Sequence, residues 1–211
     1  METILALAGV LLACLLGAMS PGPSFLYVAR TSMAQSRSSG LAAAAGMGVG
    51  GAIFAALAVL GLKAVFASHP WLYFTVKLAG GAYLVYIGIQ MWWGAKRPMD
   101  FREASAGAGG TNRRAFAMAL ATQLSNPKTA IFYGSIFAAL LPQAIAPLVA
   151  IALPLIVFGI EIAWYSVVAL ILSAAGPRAV YLRAKTGIDR AAGGVIGLLG
   201  AKLMFAADTP A

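Results

Sequence analysis

The chain has 211 residues, 61% of them hydrophobic and only 10% charged, with a mean hydropathy of +0.87. A soluble domain carries about 25% charged residues, so this balance excludes an ordinary water-soluble domain and predicts an all-α integral membrane protein built as one polytopic bundle. The formal net charge of +9 does not point to nucleic acid, because most of the basic residues fall in short links between apolar runs, where they set topology.

The first apolar run extends from about Ile4 to Met33 and is broken at Ser20-Pro21-Gly22-Pro23-Ser24. Each proline removes an amide donor and its ring clashes with the carbonyl four residues back. At about 1.5 Å per residue the run is longer than the ~30 Å hydrocarbon core requires, so it kinks or tilts. Backbone groups freed in lipid need partners inside the protein or in a wet cavity, so the break is expected to line something. The run carries Glu2 and no Lys or Arg before Arg30. A cleavable signal opens with basic residues, so this first segment is expected to stay in the mature protein. Cys14, the one cysteine, permits no intrachain disulfide and is expected to pack.

A polar link from Gln35 to Gly40 leads to a second run, about Leu41 to Phe66, in which Gly46 and Gly50 make a small-residue face. Such faces let helices approach closely in lipid. They permit a homodimer, but packing within the chain is the preferred reading. His69, the one histidine, follows beside Pro70. No cluster of His, Cys or carboxylates suggests a metal, and no cofactor motif is present. A third run, about Trp71 to Trp93, has aromatics at both ends in the manner of an interfacial belt. Its Lys77 either snorkels or faces the bundle. The polar stretch from Ala95 to about Arg114 holds five basic residues and the Ala108-Gly109-Gly110-Thr111 sequence, and it reads as a linker between two halves.

The fourth run, about Ala115 to Leu141, is broken at Ser125-Asn126-Pro127-Lys128. Adding 106 to Pro21 and Tyr27 gives Pro127 and Tyr133, and the same shift takes Gly88 to Gly194. Matching breaks in two halves point to a transporter's binding site. The fifth run, about Leu148 to Ala174, carries Glu161 near its middle. A second basic stretch with Arg178, Arg183, Lys185 and Arg190 reads as a loop before the sixth run, about Ala191 to Ala207. Six spans then form two three-helix repeats, about 1–95 and 115–211, within a single transmembrane domain. Loops one, three and five hold nearly all the loop charge. The positive-inside rule places them in the cytoplasm and both termini outside, and three spans per half make the second repeat inverted.

Ionisable groups inside a membrane default to function. Glu161 is too deep to snorkel, and either handles a coupling proton or substrate, or locks helices as an ion pair. Lys128 either supplies positive charge to Glu161 or to a substrate carboxylate, or snorkels from a kinked helix. Half-helix N-termini attract anions, and Ser24 and Thr129 are placed to cap them. A carboxylate at these ends, with an ammonium on the carbonyls freed upstream, suits a zwitterion such as an amino acid. Tyr27 and Tyr133, beyond the breaks, either bond solute or pack.

At these residues the chain resembles the LysE/RhtB family of amino-acid exporters. Ser20-Pro21-Gly22-Pro23 with Phe25-Leu26-Tyr27-Val28 is similar to the family's first-helix signature. Lys77-Leu78-Ala79-Gly80-Gly81-Ala82-Tyr83-Leu84 resembles its third-helix pattern, and Asn126-Pro127-Lys128-Thr129-Ala130-Ile131 its fourth. Glu161 with Ala163-Trp164-Tyr165 is similar to the fifth helix of the threonine-exporter branch. Ser24 and Gln123 depart from residues that members carry beside the breaks. The resemblance implies a multi-pass protein of the cytoplasmic (inner) membrane that exports a small amino acid or close derivative by proton antiport. It is expected to be no enzyme and to need no cofactor, metal or ATP-binding loop, its partners being the amino acid, protons and lipid. The expected substrate site comprises Ser20, Pro21, Gly22, Pro23, Ser24, Tyr27, Gln123, Asn126, Pro127, Lys128, Thr129, Tyr133 and Glu161, with Glu161 also coupling the proton. Export of another small metabolite or a cation is the alternative. An intramembrane enzyme is a distant third, since His69 alone offers no base beside a nucleophile.

Overall fold

The computed structural model of the chain describes residues 2–68, 72–98, 111–141 and 145–205. Among these residues there are eight helices and no strand: α1 (Glu2–Met19), α2 (Pro23–Ala34), α3 (Arg37–Ser68), α4 (Leu72–Gly94), α5 (Asn112–Leu124), α6 (Pro127–Leu140), α7 (Pro147–Leu172) and α8 (Ala175–Phe205). Two are long and apolar enough to cross a membrane, Arg37–Ala64 and Pro147–Leu172. The pair Leu7–Met19 and Pro23–Ala34, bent by 55°, makes a third if taken as one broken span. The protein is thus an integral membrane protein. His69, Pro70, Trp71, Arg102 and the Ala108-Gly109-Gly110 stretch lie outside the described residues.

Both expected breaks are present, and each has a local cause. Ser20 N bonds back to Gly17 O at 3.1 Å, which ends α1 in a tight turn. Gly22 is extended, and Pro23 opens α2 at a position where its missing amide does no harm. Asn126 is likewise extended before Pro127, and its side chain accepts the Lys128 amide at 3.1 Å. Gly22, which brings no side-chain cap, and Asn126 are therefore the capping positions, not Ser24 and Thr129. Thr129 N instead donates to Asn126 O.

Two stretches that read as loops are helical. The link before α3 shrinks because α3 already begins at Arg37. The basic stretch after α7 is the first half of α8, which runs unbroken through Arg178, Arg183, Lys185 and Arg190. Charge alone suggested a loop there. The side chains nonetheless keep a helical period, with Tyr181, Lys185 and Asp189 four residues apart and all buried.

The glycine faces pack within the chain. A Cβ at Gly46 would meet Phe116 O at 2.4 Å, and one at Gly50 would meet the Gln123 side chain at 2.6 Å, so both lie against α5. Gly88 and Gly193 are equally tight between α4 and α8. In α7, Leu148, Ile151 and Leu155 point outward while Leu153, Val157, Glu161 and Tyr165 point inward. That outward apolar face suits lipid and not water.

Two apolar clusters fill the interior. The first contains Cys14, Tyr133, Ile136, Leu153 and Val157; the second contains Phe25, Met47, Tyr165 and Val168. Along α7, Glu161 falls between Val157 of the first and Tyr165 of the second. A polar layer therefore lies between two apolar ones.

Candidate substrate site at the two helix breaks

The two breaks meet. Asn126 Nδ2 donates to Ser24 Oγ at 3.1 Å, and Lys128 Nζ donates to Ser20 Oγ. Residues 102 and 108 positions apart in sequence are thus held together at the interruption of each helix. Lys77, by contrast, sits 5.6 Å from the Tyr73 ring near the start of α4, away from the breaks.

The hydrogen bonds continue inward. Ser24 Oγ donates to Gln123 Oε1, and Gln123 Nε2 donates to Glu161 Oε2 at 3.0 Å. Tyr133 OH donates to Glu161 Oε1 at 2.6 Å. Glu161 is 3% exposed and Gln123 1%, so each carboxylate oxygen has one buried donor. A buried carboxylate without such donors would be strongly unfavourable. Lys128 bonds Ser20 and not Glu161, so the ion pair open to it from the sequence is absent here.

The glycines of α3 make room for this chain of groups. A Cβ at Gly51 would stand 3.0 Å from Glu161 Cδ, and one at Gly50 would overlap Gln123. The side chains of α5 and α7 pack onto α3 at two of the positions where α3 has none.

A cavity of about 30 Å³ lies at the junction, walled by Ser20, Gly22, Ser24, Asn126, Lys128, Thr129, Tyr133, Glu161 and Tyr165, with Phe25 and Phe132 beside them. That is room for about one water, less than an amino acid needs. A second cavity of about 790 Å³ adjoins it. It begins at Ser20, Pro21, Gly22, Pro127 and Lys128 and runs along α4 past Tyr83, Ile87 and Met91 to Arg97, Lys185 and Asp189. Ser20, Gly22 and Lys128 border both cavities.

Most of the residues expected at the site are brought together. Ser20, Gly22, Ser24, Asn126, Lys128, Thr129, Tyr133 and Glu161 wall the inner cavity, and Pro21 and Pro127 border the outer one. Gln123 stands behind Ser24 and reaches the cavity only through it and Glu161. Tyr27 lies apart, its hydroxyl donating to Ala115 O at 3.4 Å, and Pro23 borders neither cavity. Sequence reasoning passed over Gly51, and it noted Tyr165 only as part of a motif. It also missed Asp189, although Lys185 one turn earlier was a usable signal: opposite charges four apart on a helix face each other. Here they pair at 2.6 Å.

The LysE type translocator family matches the chain over residues 15–207. The threonine efflux protein of Salmonella typhimurium is 30% identical over 188 residues, covering 89% of this chain and 91% of the relative. That of Escherichia coli K12 matches to the same extent. A leucine efflux protein of Enterobacter is 34% identical over 119 residues, covering 56% of this chain and 54% of its own. No solved structure matches the chain.

Proposed function

We propose that this chain, which belongs to the LysE type translocator family, is a secondary transporter that exports a small amino acid or close derivative from the cytoplasm by proton antiport. The observation that carries this reading is the meeting of two broken helices at a small cavity with one buried carboxylate. Efflux is what the matched relatives' names describe, with threonine and leucine as the cargoes.

In this reading the chain crosses the inner membrane six times, in two inverted halves. Helices α1 to α4 and α5 to α8 share one order: a helix, a proline break, a short helix and two long helices. The larger cavity extends from the breaks to Arg97 and Lys185, at the end that the positive-inside rule assigns to the cytoplasm, and in this reading an exported solute loads through it. Lys128 and Ser20, at the junction of the two cavities, receive the carboxylate. Glu161, with its two donors on the far side, takes up and releases the coupling proton. Alternating access follows from one half rocking on the other around the breaks.

The test is efflux from proteoliposomes loaded with a mixture of amino acids, with and without an imposed pH gradient. Gradient-dependent loss of one or a few amino acids supports the reading. Glu161→Gln should leave exchange of labelled for unlabelled amino acid and abolish the response to the gradient. Retention of every amino acid by folded, inserted wild-type protein refutes export, and an unchanged gradient response in Glu161→Gln refutes the coupling role.

A further inference from the structure

The larger cavity contains a carboxylate that the site at the breaks does not use. Asp189 borders the cavity, yet it is only 2% exposed. Its Oδ2 accepts from Lys185 Nζ at 2.6 Å, and Lys185 is fixed in turn by Ala95 O at 3.0 Å. Its Oδ1 has no hydrogen-bond partner. A buried carboxylate oxygen left without a donor is costly, and the residue that carries it lines the cavity. Across the same cavity stands the Lys128 ammonium, which has three donors and gives one to Ser20. The charges of Asp189 and Lys128 act on each other, but the two groups are not in contact.

We infer that Asp189 and Lys128 form a loading subsite for a zwitterionic amino acid, with the substrate ammonium on Asp189 Oδ1 and its carboxylate on Lys128 Nζ. The separated pair of opposite charges, set in a cavity that leads to the breaks, fits a ligand carrying both charges. Lys185 answers the charge of Asp189 but leaves Oδ1 without a donor, so the ammonium of a ligand whose carboxylate meets Lys128 finds an acceptor there. Lys185 acts as a positioning residue: it holds one oxygen of Asp189 and so leaves the other for the ligand. The subsite precedes the inner cavity, and Glu161, whose oxygens already have Tyr133 and Gln123 as donors, takes no part in it. This inference rests on the reading of the chain as an amino-acid exporter.

The test compares binding of threonine and N-acetylthreonine, which lacks the ammonium, to purified wild-type and Asp189→Asn proteins by isothermal titration. Asparagine still accepts from Lys185 but carries no charge. Threonine affinity should fall at least tenfold in Asp189→Asn while that for N-acetylthreonine stays within twofold. A purely structural role would weaken both ligands equally, and that result, or no change in either, overturns the subsite. Should Asp189→Asn fail to fold, Lys185→Gln decides: with Asp189 no longer held, the preference for threonine over N-acetylthreonine should fall at least threefold, and an unchanged preference overturns the assignment. Export of threonine by wild-type proteoliposomes is measured alongside. If no amino acid leaves the vesicles, the export reading itself fails. If export proceeds and the two ligands respond alike, only the subsite fails.

Discussion

Replacing Gln123 by leucine removes the side chain that bridges Ser24 at the first break and the buried Glu161 carboxylate. The substitution nearly conserves volume, so it creates little cavity, and its effect comes from lost hydrogen bonds. Two go: the one from Gln123 Nε2 to Glu161 and the one from Ser24. A bond to a charged group contributes about 1.5–3 kcal/mol and a neutral one about 0.5–1.5, so the loss is about 2–4 kcal/mol. For a chain of this length that corresponds to roughly 4–16 °C in melting temperature. Thermal unfolding of the purified protein measures it. The decisive comparison is a cycle with Glu161→Leu. If the penalty is the carboxylate left short of a donor, Gln123→Leu should cost far less in the Glu161→Leu background, with a coupling above about 1 kcal/mol. Additive effects would show that Gln123 and Glu161 are merely neighbours, and would refute the view that one holds the other.

Three further substitutions separate packing from transport. A Cβ at Gly80 would stand 2.6 Å from Ser135 O, whereas nothing lies within 4 Å of Gly61. Gly80→Ala should therefore part α4 from α6 and lower the melting temperature, while Gly61→Ala should raise stability by about 0.5–1 kcal/mol through the gain in helix propensity; a calorimetric scan of both variants checks the contrast. Lys128→Met removes the charged hydrogen bond to Ser20, worth about 1.5–3 kcal/mol, together with the cost of burying the charge; the two offset, so the change in melting temperature should be small while amino-acid efflux falls at least tenfold, as read in proteoliposomes.

The membrane class, the breaks and most of the inner cavity were legible from the residues because prolines in apolar runs and isolated charges are strong local signals. Pro21, Pro23, Pro127, Lys128 and Glu161 each stand out without knowledge of their neighbours. What the sequence left open was pairing across the fold. Lys128 had two candidate partners, Glu161 or a ligand, and the structure gives it Ser20, because the breaks lie side by side and their polar atoms meet first. Tyr27 and Tyr133 looked equivalent under the 106-residue shift, yet only Tyr133 faces the cavity. The shift preserves register but not surroundings. Asp189 was lost because a run of basic residues masked the helical period that buries it.

The glycine contacts between α4 and α8 bear on how this protein tolerates change. A Cβ at Gly88 would lie 2.6 Å from Gly193 O, and one at Gly200 the same distance from Gly81 O. Both obstacles are backbone, which has no rotamer to yield. A residue such as Ser24 can trade one hydroxyl for another and keep its hydrogen bonds, but Gly88 and Gly200 cannot accept even a methyl group without moving a whole helix. The most restricted positions in the chain therefore include residues that do no chemistry, and a survey of permitted substitutions would trace the seam between α4 and α8 at least as sharply as it traces the cavity.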